Sequence, residues 1–202
     1  MNNAFDQFRK DIGKVREIDS LYYYLKNKLQ LPNDLTDLLR SEIVYSTSAL
    51  DKLIHELVRI GMIDIFCNRR IATNRFKNYT ISMSTYNGII SSTIQPQEYW
   101  FEQEVINKHK HLSFQDPQKI SEALSLIWDE EHKWQKIAIR MYTDQRTIRT
   151  QLKNIVSRRN QIVHESDLDS FTGVKNRINQ TDTKFIVDFI EMLGEAIYEE
   201  VK

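Results

Sequence analysis

Apolar residues recur every three or four positions along most of the chain. Near the N-terminus Phe5, Phe8, Ile12 and Val15 form one such stripe. This spacing is typical of amphipathic helices that bury one face in a core. It predicts helices over residues 3–30, 34–68, 97–110, 117–127, 134–141, 144–166 and 182–201, with a short one after Ser82. We therefore expect an all-α fold, a helical bundle of about seven helices.

The composition supports long helices and one core. The 202 residues include only 5 Gly and 3 Pro, and 41% of them are hydrophobic. So few helix breakers favour helices over strands and turns. No repeat, low-complexity tract or linker divides the sequence. We predict a single helical domain over residues 1–202, in which residues 1–33 form an N-terminal helical extension.

The charge is balanced, with 28 basic and 28 acidic residues. Such a chain has no global attraction to nucleic acids or membranes, so a contact with nucleic acid would have to be local. Arg69, Arg70 and Arg75 form the clearest local cluster of cations. They are typical either of a solvated loop or of a rim that attracts phosphates, and both interpretations stay open.

Several classes of protein are disfavoured by what the sequence lacks. Cys67 is the single cysteine, and no apolar run approaches the roughly 18 residues that span a bilayer. The first residues do not have the pattern of a signal peptide. We expect a cytoplasmic protein without membrane contact. The His109-Lys110-His111 stretch lacks accompanying ligands and is interpreted as surface residues, so no metal or cofactor is predicted.

One helix carries a charge where its apolar face should continue. Ile148, Leu152, Ile155 and Ile162 mark that face, and Arg159 occupies the position between the last two. An unpaired cation buried in a core is destabilising. Either an anion meets Arg159, or the apolar face opens at that point.

The residues around Arg159 suit metal-independent cleavage of RNA. Asn160 and His164 lie about 40° apart on the helix surface, and the long Arg159 side chain can reach the same cleft. RNA supplies its own nucleophile, the 2′-hydroxyl. Histidine can then act as acid or base, arginine can stabilise the charged phosphorane, and Asn160 can orient the phosphate or the imidazole. One helix has only one such His, so a paired acid and base would require a second copy of the chain.

The stretch Arg159-Asn160-Gln161-Ile162-Val163-His164 resembles the signature of HEPN domains, an Arg and a polar residue followed after three more by a His. Its surroundings are similar to the RiboL-PSP-HEPN branch, at residues 114–120, 156–167, 189–192 and 196–198. The resemblance covers most of residues 34–202. It implies a helical domain that dimerises with the two motifs facing each other. For many members it also implies metal-independent RNase activity in toxin–antitoxin or antiphage systems.

The resemblance also implies roles for individual residues. Arg159 would bind the phosphate, Asn160 would assist it, and His164 would be the catalytic base or acid. Members often have an acidic residue on an earlier helix, and Asp51 is the candidate here, where Glu is commoner. Arg158 and Glu165 flank the motif and are candidate supporting residues. An antitoxin or another defence protein is the expected partner besides RNA.

Two other interpretations stay open. The motif residues could be structural, with Arg159 paired to Asp51 or to Glu165 of a partner chain and His164 capping the C-terminus of its helix. The protein would then be a non-catalytic dimeric interaction module. Residues 136–150 also resemble a helix-turn-helix that would present Thr147, Arg149 and Thr150 to a DNA groove.

Overall fold

The computed structural model describes residues 1–169 and 171–202, and these residues form an all-α bundle, as predicted. The described part contains nine α-helices, more than the seven or so expected. The short helix predicted after Ser82 is α4, whereas the four residues of α3 lie where no helix was predicted. The helices are α1 (Asn2–Tyr23), α2 (Thr36–Phe66), α3 (Asn74–Lys77), α4 (Met83–Ile90), α5 (Gln97–His109), α6 (Pro117–Leu124), α7 (Lys133–Arg140), α8 (Gln145–His164) and α9 (Gln180–Val201).

Helix α2 is the centre of the bundle. It packs against α1, α5, α6, α8 and α9. Its apolar residues occur on more than one face, and Leu39, Leu50, Ile54, Leu57 and Val58 are almost completely buried. A helix with apolar residues on several faces is stable only when other helices surround it. The position of α2 therefore follows from its own sequence.

Side-chain caps fix where the helices near the motif begin. Asp116 accepts hydrogen bonds from the first backbone amides of α6, and Asp144 does so for α8. The last helix was predicted to begin at residue 182, but α9 begins at Gln180, and Asn179 caps it by accepting from the Asp182 amide at 2.9 Å. Asp182 lies in the first turn of α9, where a negative charge favours the helix dipole.

The N-terminal segment shares the core of the bundle. Phe8, Ile12 and Val15 of α1 are at most 2% exposed, and α1 packs along both α2 and α9. A π-helical turn, Tyr24–Lys28, follows α1 before the chain turns toward α2. That residues 1–202 form one domain with residues 1–33 as an extension stays a prediction. Among the described residues, no helix has the length and apolar character needed to cross a membrane.

Candidate functional site

The motif occupies the last two turns of α8. Asn160 and His164 are exposed, and His164 is the last residue of the helix. Arg159 is half-buried, since it continues the face on which Leu152 and Ile155 are buried. The helix thus presents a polar amide and an imidazole to solvent beside a partly buried cation.

The Arg159 guanidinium is only partly satisfied. Its Nη1 donates to the Asn160 side-chain oxygen at 3.1 Å, while its buried Nε has no hydrogen-bond partner. Within residues 1–169 and 171–202, no carboxylate forms an ion pair with it. A half-buried cation without a counter-ion attracts an anion more strongly than an exposed one, because fewer water molecules screen it. Arg159 is therefore suited to binding a phosphate.

Asp51 binds the loop before α6 rather than Arg159. Its carboxylate accepts from the Phe114 amide at 2.5 Å and lies 3.5 Å from the Gln115 side-chain nitrogen. His55, one turn later on α2, lies 4.0 Å from the same carboxylate. The ion pair between Arg159 and Asp51 that the sequence allowed is not present in the monomer. A catalytic role for Asp51 stays a prediction.

Arg158 holds the turn that follows the motif. It forms a two-pronged ion pair with Asp167, with one of the two nitrogen–oxygen distances at 2.8 Å. Asp167 is completely buried, and its carboxylate also accepts from Arg40 Nε of α2 at 2.6 Å. Asn176 donates to the Asp167 carbonyl and carboxylate at 3.2 Å each. These contacts around the buried Asp167 anchor the chain three residues after His164, and Arg40, Arg158, Asp167 and Asn176 are here called the Asp167 cluster.

The backbone after α8 needs such an anchor. Ser166 and Asp167 have φ angles of +52° and +58°, a left-handed conformation that is unfavourable for residues other than glycine. The chain turns sharply here, and beyond the turn Leu168 and Lys175 form an isolated antiparallel β-bridge. The ion pairs of Asp167 stabilise this turn, so they also restrict where α8 and His164 end.

A groove of about 360 Å³ lies beside the motif. Its lining includes Ile162, Ser166, Arg40, Tyr45 and Lys175. Glu165, the residue after His164, is exposed and forms no ion pair in the described part of the chain. The end of α8 is thus an open, charged surface rather than an enclosed pocket.

The three arginines of the predicted basic cluster do not form one surface. Arg69 pairs with Asp64 at 2.8 Å, and this hydrogen bond raises the pKa of Arg69. Arg70 is partly buried, and burial lowers its pKa. Arg69 and Arg70 line one cavity, whereas Arg75 lines another. RNA binding by these residues stays a prediction.

The His109-Lys110-His111 stretch differs from the surface interpretation. His111 is exposed, but His109 is only 8% exposed, so the prediction was wrong for His109. Helix α5 ends at His109, and the side chain turns inward between Tyr79 and Phe114. Among the described residues, no group of three or more His, Cys, Asp or Glu side chains is placed to hold a metal ion.

The helix-turn-helix interpretation has a geometric counterpart in α7 and α8. These helices are joined by residues 141–144, and Tyr142 in the turn has a φ of +53°. Thr147 and Thr150 are exposed and Arg149 is half-buried, but the Thr147 hydroxyl already donates to Asp144 at 2.5 Å. Thr147 thus contributes to the start of α8, and DNA binding stays untested.

Comparison with known families identifies the domain. A family model described as RiboL-PSP-HEPN matches residues 12–202, which include the whole motif and the Asp167 cluster. The chain belongs to the RiboL-PSP-HEPN family. HEPN domains are generally RNase-type or nucleotide-binding modules, and they commonly dimerise. No curated protein and no solved structure matched the chain.

Proposed function

We propose that this HEPN protein is a metal-independent endoribonuclease that acts as a homodimer in the cytoplasm, in toxin–antitoxin or antiphage defence. One observation carries the proposal. The half-buried Arg159 has no counter-ion in the described chain and lies on the same helix end as the exposed Asn160 and His164. A phosphate-binding cation and an acid–base group are the two components that cleavage of RNA through its own 2′-hydroxyl requires.

In the proposed reaction the His164 imidazole accepts the proton of the 2′-hydroxyl. The 2′-oxygen then forms a bond to the adjacent phosphorus, and the bond from phosphorus to the 5′-oxygen breaks. The second imidazole of the dimer donates a proton to that oxygen, so the products are a 2′,3′-cyclic phosphate and a 5′-hydroxyl end. Arg159 stabilises the negative charge on the phosphorane, and Asn160 orients the Arg159 guanidinium through its 3.1 Å hydrogen bond.

The open surface of one protomer supports the dimer. Asn160 and His164 are exposed, and each chain contributes a single motif. A second copy placed across a two-fold axis would supply the other imidazole and would exclude water from the reacting phosphate. An antitoxin or another defence protein that covered this surface would block the reaction.

The test is cleavage of RNA by purified protein, with and without a chelator. His164→Ala and Arg159→Ala are each expected to reduce the rate by about 100-fold or more, because each removes one component of the reaction. His111→Ala removes an exposed histidine outside the motif and is the matched control. The His111→Ala protein should cleave RNA at the same rate as the unmodified protein. The chelator should leave the rate of the unmodified protein unchanged.

Two outcomes would contradict the proposal. Equal activity of the His164→Ala protein would show that a contaminating nuclease produces the cleavage. No cleavage of any RNA by the unmodified dimer, together with a stable protein partner, would favour a non-catalytic HEPN interaction module. Circular dichroism of each variant checks that the helices are intact.

A further inference from the structure

The cavity lined by Arg75 lies away from the motif. It has a volume of about 520 Å³ and is bordered by α3, the end of α5, the following loop and α6. None of Arg159, Asn160 and His164 lines it. Its volume lies within the range of small-molecule sites, about 300 to 1,000 Å³.

Three aromatic rings form the wall of this cavity. The ring of His109 lies edge-on to Tyr79, with centroids 6.2 Å apart, and edge-on to Phe114, with centroids 5.9 Å apart. The remaining apolar lining comes from Leu112, Ala123 and Leu126. A wall of this kind favours packing against a flat aromatic ring.

Hydrogen bonds to α2 hold this wall in place. Asp51 accepts from the Phe114 amide at 2.5 Å, and His55 Nε2 lies 3.2 Å from the Leu112 carbonyl oxygen. The loop that carries Leu112 and Phe114 is therefore fixed before any ligand enters. Preformed walls are typical of small-molecule sites, because binding then requires little ordering of the protein.

His109 contributes ring nitrogens to this wall that form no hydrogen bond within the described chain. The side chain is 8% exposed, and in the described chain neither ring nitrogen has a hydrogen-bond partner. Burial lowers the pKa of His109, and the neighbouring His55 and Lys108 lower it further. This shift favours the neutral imidazole, which has one donor and one acceptor for a ligand.

The mouth of the cavity is positively charged. Arg75 of α3 and Lys119 of α6 line it, and in residues 1–169 and 171–202 neither forms an ion pair. Glu122 is the one carboxylate in the lining, and it accepts from Gln118 at 3.0 Å. Two cations against one anion leave a net positive charge that attracts an anionic group.

We propose that this cavity binds a small planar aromatic anion. The ring would pack against Phe114 and Tyr79, a polar atom of the ring would pair with His109, and the anionic group would meet Arg75 and Lys119. Two kinds of molecule have this chemistry, a phosphorylated nucleoside and an aromatic carboxylate. The site is separate from the motif and does not depend on the proposed RNA cleavage.

Isothermal titration calorimetry with two sets of probes tests this proposal. One set is AMP, CMP, GMP and UMP, and the other is benzoate and indole-3-acetate. The double variant Arg75→Ala/Lys119→Ala removes both exposed cations of the cavity. The double variant Lys77→Ala/Lys110→Ala is the control, because it removes the same charge from nearby exposed lysines that do not line the cavity.

The expected result is saturable binding of at least one probe to the unmodified protein. The Arg75→Ala/Lys119→Ala protein should bind that probe at least about tenfold more weakly, whereas the control double variant should bind it equally well. The set that binds identifies the anionic group. Lack of saturable binding for every probe, or equal weakening in both double variants, would overturn the proposal. The His164→Ala protein should bind as the unmodified protein does, whether or not the protein cleaves RNA.

Discussion

Arg40 and Asp167 form a buried ion pair although they lie 127 residues apart, with Arg40 Nε donating to Asp167 Oδ2 at 2.6 Å. Arg40 belongs to the first turns of α2, and Asp167 follows the last turn of α8. Arg40 Nη2 also donates to the Asn176 carbonyl at 2.8 Å. The central helix therefore holds the turn that follows His164, and the position of the motif depends on this contact.

Asp167→Ala should destabilise the protein by about 3 kcal/mol, because it leaves Arg158 without a counter-ion and leaves the buried Arg40 with only the exposed carboxylate of Asp37. Asp37→Ala is the matched control. Asp37 also contacts Arg40, at 3.3 Å, but its side chain is 70% exposed, so its loss should change the stability by less than about 1 kcal/mol. Urea unfolding followed by circular dichroism measures both values. Similar losses in the two variants would contradict the view that the buried pair stabilises the turn.

Mixing active and inactive chains tests whether the cleavage site needs two copies of the motif. In a freely exchanging mixture of equal amounts of unmodified and His164→Ala protein, only about a quarter of the dimers have two His164 side chains. The rate should therefore fall to about a quarter of that of the unmodified protein at the same total concentration. A fall to about a half would mean that each protomer cleaves RNA alone. The Lys77→Ala protein, mixed in the same ratio, controls for the exchange itself and should leave the rate unchanged.

Glu42 should make the stability depend on pH. The residue is 1% exposed, its Oε1 has no hydrogen-bond partner, and burial, together with the charge of Asp19, raises its pKa from 4.5 to about 8. The folded state thus holds the Glu42 proton more tightly than the unfolded state does. The contribution of Glu42 to the free energy of unfolding therefore falls as the pH rises from about 4.5 to about 8, and it changes little at higher pH.

Glu42→Gln removes this titration. The variant should be more stable than the unmodified protein by about 2 kcal/mol at pH 8.5 and nearly equal to it at pH 4.5, because only the ionised carboxylate carries a large burial penalty. Urea unfolding at the two pH values gives the difference. Glu195→Gln, at an exposed position of α9, should change the stability by less than about 0.5 kcal/mol at either pH. A gain for Glu42→Gln that did not depend on pH would contradict burial of an ionisable carboxyl.

Substitution by alanine should have opposite effects on stability at two glycines, because α1 approaches α9 closely at Gly194 but nothing lies close to Gly13. A Cβ at Gly194 of α9 would overlap the ring of Phe8, whereas a Cβ at Gly13 of α1 would meet nothing within 4 Å. Gly194→Ala should therefore destabilise the protein by about 1 to 3 kcal/mol. Gly13→Ala should stabilise it by up to about 1 kcal/mol, because alanine favours the helix. Thermal unfolding compares the two. A destabilised Gly13→Ala protein would show that the surface of α1 is covered by something else.

Local patterns were sufficient to predict most helices. Ser82, Asp116 and Asp144 cap the helices that begin directly after them, because a capping side chain accepts from backbone amides two or three residues away. The start of α9 was predicted at residue 182 because Asp182 has the same capping chemistry as Asn179, three residues earlier. The choice between them depends on where the chain leaves its extended conformation.

The site was only partly predictable. Arg159 was found because a charge interrupts an apolar face, and Arg40 sits among apolar neighbours of α2 in the same way. The charge of Arg40 on this apolar face therefore indicates that the residue needs an anionic partner. Nothing local marks Asp167 as its partner, since the pair is made by two segments that meet only in the folded bundle. The burial of His109 also escaped prediction, because a polar His-Lys-His stretch at a helix end is typical of a surface.

Spacing along single segments of the chain was sufficient to predict most of the helices and the Arg159, Asn160 and His164 motif. Tertiary structure decided which charges are neutralised. In the folded bundle Arg158 pairs with the buried Asp167, and Asp51 accepts a hydrogen bond from the Phe114 amide. Arg159 has no carboxylate partner in the described chain. The physical reason is that the strength of an ion pair depends on burial and on partners from distant segments, and neither is encoded in local periodicity.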